Sequence, residues 1–383
     1  MIKNNEIEHV LAYNNSNYAC NQGSIIKLNN DELFLGYNQE RGLIHADSGQ
    51  SCFIKSNDDG KTWDVNTNKV IWPFNEYQGN WDCAFSQISD GSILMHTRVC
   101  SFIKSSALKV NSPQSFGGTT PDKSERLKRQ TGYSLLKSYD LGVTWDEPIP
   151  VNTSPISESG FAAYSVGGSG AGHIIELSDG GLLMPLHGSI TKEFVAQGGE
   201  QARTFVLRSD DKGNNWEYWS TVAHDSSEIL SFCEPAMAKL KNGKLICLMR
   251  CEVRPGSRFD NMWFVESADD GSSWSSPKRT NLWGYPADII QLHDDRVLAV
   301  YGYRKAPWGV KGCLSDNGVD WDVKNEFDIR IGGVADSNFF QYWHIGYPTV
   351  TQCKNKTIVV AYHEYSKGNI PVQEMWVSRF EIK

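Results

Sequence analysis

A run of the form Ser-x-Asp-x-Gly-x-Thr-Trp recurs along the 383-residue chain, and this recurrence limits the possible folds more than any other feature. It reads Ser56, Asp58, Gly60, Thr62, Trp63 and again Ser138, Asp140, Gly142, Thr144, Trp145. It returns as Ser209, Asp211, Gly213, Asn215, Trp216 and as Ser267, Asp269, Gly271, Ser273, Trp274, while a fifth copy, Ser315 to Trp321, is one residue short. The residue types suit a stapled turn: Asp accepts hydrogen bonds from turn amides, Gly takes the positive-φ position, and Trp folds back onto the neighbouring strands.

A second pattern, an apolar run, a short polar turn and another apolar run, occurs at 24–38, 84–98, 173–188, 236–250, 288–304 and 349–364. Each copy reads as the first two strands of a four-stranded antiparallel sheet. Six inner hairpins with stapled outer turns predict an all-β chain folded as one six-bladed β-propeller over residues 1–383. Repetitive all-β architectures reach this length as one unit. The last repeat lacks a staple and has room for one strand near 372–380, so the segment 7–13 is its expected partner; such closure removes the open sheet edges.

A formal net charge of −8 and a pI near 5.6 argue against a nucleic-acid or anionic-membrane binder, which would need positive charge. The nine cysteines form no Cys-x-x-Cys pair and the histidines lie at no metal-ligand spacing, so neither a disulfide framework, a metal nor a cofactor is expected. The opening MIKNNEIEHV has no apolar stretch of signal-peptide length, and the chain as it stands is expected to be cytoplasmic. Self-association into a homo-oligomer is compatible with the sequence.

Propeller topology sorts the residues by end. The stapled turns share one end with the inner-hairpin turns, so residues just before each first strand or just after each second strand collect at the other. That end gathers Asn21, Gln22, Arg41, His45, Asp47, Trp81, Asp82, His96, Arg98, His187, Glu234, Arg250, Arg254, Arg258, Tyr285, Tyr303, Arg304, His344, Tyr347, His363 and Glu364. The long connections 99–132, 153–172 and 190–203 read as solvated loops, or as lids or subunit contacts at the same end.

On these motifs the chain resembles the bacterial sialidases, or neuraminidases, over nearly its whole length. The stapled turns are similar to the Asp-boxes of that superfamily. The resemblance implies an acid/base Asp shortly before the first Asp-box, which Asp47 matches. It implies a Tyr nucleophile at the start of the last blade, matched by Tyr347, and a Glu base that activates it, matched by Glu234. It further implies arginines that clamp the substrate carboxylate. Arg250 and Arg304 look like two of these and Arg41 like a further family arginine, with Tyr285, Tyr303, His344 and Asp82 completing the expected substrate-binding set. The Arg-Ile-Pro run that supplies the first clamp arginine in the family is replaced here by CNQGSII.

Such a set fits glycoside cleavage, which needs a proton donor for the leaving oxygen and a nucleophile for the cationic carbon; sialidases use Tyr in place of the second carboxylate. A phenol needs a neighbouring base, and arginine binds a carboxylate in bidentate fashion. The resemblance therefore implies an exo-acting, retaining hydrolase that removes a terminal acidic sugar from a glycan. Two other readings stay open: a polysaccharide lyase or other uronate-active enzyme, and a non-catalytic glycan-binding propeller. So do structural roles, with Asp47 as a loop cap, Glu234 and Tyr347 as channel-lining partners, and the arginines paired with Glu234 or Glu364.

Overall fold

The computed structural model describes residues 6–40, 49–75, 77–104, 126–153, 166–188, 202–227, 229–253, 258–332, 345–366 and 372–382. All six patterned runs form antiparallel hairpins. In each, two apolar runs of opposite direction flank a turn of two to four polar residues, as at Leu28–Leu33, where the amide of Asp31 donates to the carbonyl oxygen of Leu28 at 2.9 Å.

Four sheets stand alone. One contains Ile175–Glu176, Leu182–Gly188, Arg203–Ser209 and Glu217–Ala223. The second contains Leu230–Lys239, Leu245–Val253, Trp263–Ser267 and Lys278–Arg279, with Arg258–Phe259 paired to its second strand. The third is built from Ala287–Gln291, Val297–Tyr303, Gly309–Ser315 and Phe327–Ile331. In the fourth, Ile345–Gln352, Ile358–Tyr365 and Gln373–Phe380 are completed on the outside by Glu8–Tyr13, so the N-terminal strand closes the last sheet.

The remaining strands differ from the expectation of separate sheets. Cys20–Lys27, Leu33–Glu40, Gly49–Ser56 and Asp64–Trp72 join Gln78–Gln87, Ile93–Lys104, Arg126–Ser138 and Ile149–Pro150 in one 8-stranded sheet. The junction is one pair, Gly49 with Asn80. At Gly49 the strand also lies close against its own partner strand, where a Cβ would sit 1.9 Å from the carbonyl oxygen of Gln39. Asn80 holds it from the other side, accepting from Ser51 Oγ at 2.5 Å and donating to the Trp72 carbonyl at 2.9 Å. The hydrogen-bonded sheets thus do not separate into six, although the fold class is an all-β propeller.

The core lies between neighbouring sheets. Leu94, Tyr133 and Leu135 pack against Leu182, Met184, Phe205 and Trp216. Leu33, Leu35 and Ile54 meet Val359, Ala361 and Met375 of the closing sheet. Each such side chain contributes about 1.5–3 kcal/mol by leaving water. The stapled turns behave as their chemistry dictates: Asp58 accepts from the Thr62 amide at 2.9 Å and its hydroxyl at 2.7 Å, and Gly60 donates to Ser56 Oγ at 3.0 Å. The shortened fifth copy substitutes Asn317, whose Oδ1 accepts from the amides of Val319 and Asp320, each at 2.8 Å.

The connection expected as a loop at 99–132 is strand at both ends, with Val99–Lys104 pairing to Arg126–Gly132. Among the described residues no helix is long and apolar enough to cross a membrane.

Candidate active site

Four innermost strands carry the same defect at the same place. Pairing with the second strand skips between Asn21 and Ser24, Trp81 and Ala84, Cys233 and Ala236, and Gly346 and Thr349. At the first skipped position the backbone is left-handed: Gln22 at φ 50°, Asp82 at 60°, Glu234 at 48° and Tyr347 at 49°. A bulge of this kind frees a side chain from the alternation of the strand and re-aims it. A non-glycine residue in the left-handed region costs on the order of 1–3 kcal/mol and persists where the surroundings over-determine it.

Two of the re-aimed side chains meet. The Tyr347 hydroxyl donates to Glu234 Oε1 at 2.9 Å, between sheets that are far apart in sequence. The other carboxylate oxygen, Glu234 Oε2, accepts from Arg250 Nη1 at 3.1 Å, while Arg250 Nη2 donates to Glu252 Oε1 at 2.5 Å. The Arg250 guanidinium lies 4.7 Å from the ring centre of Phe259 and 4.9 Å from that of Tyr285, and these two rings stack at 4.2 Å. Arg304 sits 4.9 Å from the Tyr285 ring and 5.5 Å from the Tyr347 ring. On its other side Tyr347 stacks with His363 at 5.7 Å.

The electrostatics divide the pair. Burial raises the Tyr347 phenol well above its ordinary value and the Glu234 charge adds to this, against the opposing pull of Arg304 and Arg250. Burial also pushes the Glu234 carboxyl up, but Arg250 beside it outweighs burial, and Glu234 lies below the usual carboxylate range. The resting state is therefore a neutral phenol donating a hydrogen bond to an ionised carboxylate. His187, pushed by burial and by Arg98 down to about 3, is neutral and its Nδ1 accepts the Glu234 amide at 3.2 Å. This contact fixes the backbone that presents the carboxylate.

Of the residues expected from sequence, Glu234, Tyr347, Arg250, Arg304 and Tyr285 come together. Asp82 is bound to Arg98 at 2.8 Å, and its charge reaches the Tyr347 phenol. Tyr303 lies one aromatic ring further out, edge-on to Trp283 at 5.5 Å, with Lys311 Nζ 4.1 Å above its ring. Arg41, Asp47 and His344 lie outside the described residues. Glu364 pairs with Arg330 at 2.8 Å instead of with a site arginine. Sequence reasoning missed Glu252, Phe259 and Trp283. Glu252 follows Arg250 at i+2 on one strand and so shares its face, a signal that was available.

A central site of this kind, at the bulged ends of the innermost strands, belongs to the propeller class. The BNR repeat-like domain matches residues 110–362, and the chain belongs to that family; its fold is that of the sialidase superfamily. No curated protein matches the sequence. Among solved structures, a protein of unknown function from Dyadobacter fermentans is 23% identical with a TM-score of 0.78, covering 99% of this chain and 100% of that one. The NanB sialidase of Streptococcus pneumoniae is 13% identical with a TM-score of 0.65, covering 97% of this chain and 70% of that one. An α-L-arabinanase of Penicillium chrysogenum, solved with arabinobiose, is 12% identical with a TM-score of 0.60, covering 96% of this chain and 97% of that one. At these identities the likeness is one of fold.

Proposed function

We propose that the protein is an exo-acting glycoside hydrolase of retaining mechanism, with Tyr347 as nucleophile, Glu234 as its base and Asp47 as acid/base. The observation that carries the reading is the hydrogen bond from the Tyr347 hydroxyl to Glu234, a carboxylate kept ionised by Arg250. We read the 8-stranded sheet as two blades joined at Gly49 and Asn80, so that six blades surround the pair. The fold is shared with a sialidase and with an arabinanase, which supports a glycosidase without choosing between an acidic and a neutral sugar.

In the first step Tyr347 Oη attacks the anomeric carbon, Glu234 takes the phenolic proton, and the bond to the leaving oxygen breaks as Asp47 protonates it. In the second, Asp47 deprotonates a water that attacks the same carbon, and Tyr347 departs and recovers its proton from Glu234. Tyr347→Phe removes one hydroxyl and its hydrogen bond to Glu234; it should lower kcat by at least a hundredfold on every substrate, at a cost of about 1.5–3 kcal/mol of stability that leaves the protein folded. Asp47→Ala should spare the first step on an activated aryl glycoside, which needs little protonation, and lose turnover on a substrate with a poor leaving group. Full activity in Tyr347→Phe, or an equal loss on both substrates in Asp47→Ala, would overturn the reading. Release of an ultraviolet-absorbing unsaturated sugar would assign the site to a lyase.

A further inference from the structure

An aromatic row at the active end has no part in the chemistry above. Phe259, Tyr285, Trp283 and Tyr303 run outward from the Tyr347–Glu234 pair. Phe259 stacks on Tyr285 at 4.2 Å, Tyr285 meets Trp283 edge-on at 5.9 Å, and Trp283 meets Tyr303 edge-on at 5.5 Å. At the inner end Tyr285 is buried, with the guanidinium groups of Arg250 and Arg304 each 4.9 Å from its ring centre. Further out, Trp283 and Tyr303 are part-exposed. The row does not serve the frame. The staple residues Trp63, Trp216 and Trp321 lie within the apolar clusters between sheets, and Trp145 and Trp274 pack against them. Among the described residues, none of the four rings of the row belongs to such a cluster.

Trp283 is the ring of this row that a ligand can reach. Its indole N–H makes no hydrogen bond among the described residues and is open to solvent. One face of the ring carries the Lys305 ammonium, 3.6 Å from the ring centre. Lys305 is exposed and has no ion pair among the described residues. A cation held on a ring at such an exposed site is worth only about two- to fivefold in affinity, so a ligand that covers the whole face displaces it. The backbone under Trp283 is fixed on both sides. The carbonyl oxygen of Leu282 accepts the Met262 amide at 2.9 Å, and the Tyr285 amide donates to the carbonyl oxygen of Gly302 at 2.9 Å. Gly284 between them has φ 153°, and a Cβ there would lie 2.4 Å from the Tyr301 ring and 2.8 Å from the Gly302 carbonyl oxygen. A ring presented in this way needs little ordering when it binds.

We infer that Trp283 is the platform of a second sugar subsite, on which the sugar unit next to the one held at Tyr347 lays its C–H face, moving Lys305 aside. The C–H groups on one face of a sugar ring carry a small positive charge and pack on the negative face of an indole, as an ammonium does. The row is continuous with the candidate site through Tyr285, which touches both Arg250 and Arg304, and this continuity makes the occupant a further unit of the same glycan. The protein therefore prefers a disaccharide to a single sugar. The inference rests on the glycosidase reading for the kind of ligand, but not on the roles of Tyr347 or Asp47.

The test is binding, measured by titration calorimetry on the full chain with sulfur-linked disaccharides, which resist cleavage. Sialyl-α-2,3-galactose, α-1,5-arabinobiose and cellobiose in this form are each compared with the monosaccharide of their non-reducing end. At least one disaccharide should bind about tenfold or more tightly than its monosaccharide. Trp283→Ala should abolish that advantage and leave the monosaccharide within about threefold of its wild-type affinity. Trp283→Phe keeps a smaller ring and should lose at least about threefold on the disaccharide alone; it serves in place of Trp283→Ala if that variant does not fold. Lys305→Ala uncovers the indole and should tighten the disaccharide about two- to fivefold. Four results would each overturn the inference: no disaccharide that binds better than its monosaccharide, an intact advantage in a folded Trp283 variant, an equal loss on both sugars, or weaker disaccharide binding in Lys305→Ala. Cleavage of the oxygen-linked parents is read separately. A disaccharide that binds through Trp283 while its parent is not cleaved would overturn the hydrolase reading and leave this one standing.

Discussion

Replacing Glu234 by Gln changes one atom of the carboxylate and removes its charge, and the two contacts of that carboxylate set the consequences. Oε1 accepts from Tyr347 at 2.9 Å and Oε2 from Arg250 at 3.1 Å. A carboxamide keeps one acceptor only. If its oxygen faces Tyr347, its NH2 opposes the Arg250 donor; if it faces Arg250, the phenol loses its acceptor. One charge-assisted hydrogen bond is lost either way, about 1.5–3 kcal/mol of stability, partly relieved because Glu252 still holds Arg250. In catalysis the phenolic proton has no base to receive it, and such a base contributes about 10²–10⁴-fold, or roughly 2.7–5.5 kcal/mol of barrier. The assay is kcat/KM against pH for an activated aryl glycoside. The wild type should show an acid limb below the usual Glu range, since burial is outweighed by Arg250 and activity requires the carboxylate ionised. In Glu234→Gln the rate should fall by at least a hundredfold and that limb should disappear. A variant within tenfold of the wild type, with its acid limb in place, would refute the base role.

Two predictions concern the frame. Asp58 accepts three hydrogen bonds within its turn, from the Thr62 amide, the Thr62 hydroxyl and Ser56 Oγ, so Asp58→Ala should cost about 1–2 kcal/mol by denaturant titration and leave kcat/KM unchanged; a selective loss of turnover in a stable variant would put that turn at the active end. Burial lowers the His173 pKa, but the Asp288 carboxylate, 3.5 Å away, outweighs it and the net direction is upward. A raised folded value contributes stability fully present below the unfolded value of about 6.5 and lost as pH rises through the folded one. The melting temperature should therefore fall across that window in the wild type and fall less in His173→Gln, and parallel curves for the two proteins would remove the pair from the account.

The repeats made the strands, hairpins and closing segment legible because each is a local pattern: an apolar run, a turn that needs Asp and Gly, and a Trp to cover it. The merger of two hairpin groups through Gly49 and Asn80 was not legible, because one backbone pair leaves no periodic trace. The site was legible in part. Glu234 and Tyr347 sit in the similar contexts Cys-Glu-Pro and Gly-Tyr-Pro at the starts of inner strands, and topology alone brings those starts together. The charge state was not legible. Arg250 was expected as a substrate clamp, and only the fold shows both its nitrogens bound to carboxylates, one of them from the neighbouring Glu252.

The claim that Tyr347 forms the bond to the sugar is tested most directly by trapping it. The protein is incubated with a fluorinated aryl glycoside whose second step is slow, then digested, and the modified peptide is located by mass spectrometry. The account predicts one sugar per chain, attached to the Tyr347 hydroxyl, with no adduct in Tyr347→Phe. Attachment to Glu234 or to any other side chain would contradict it.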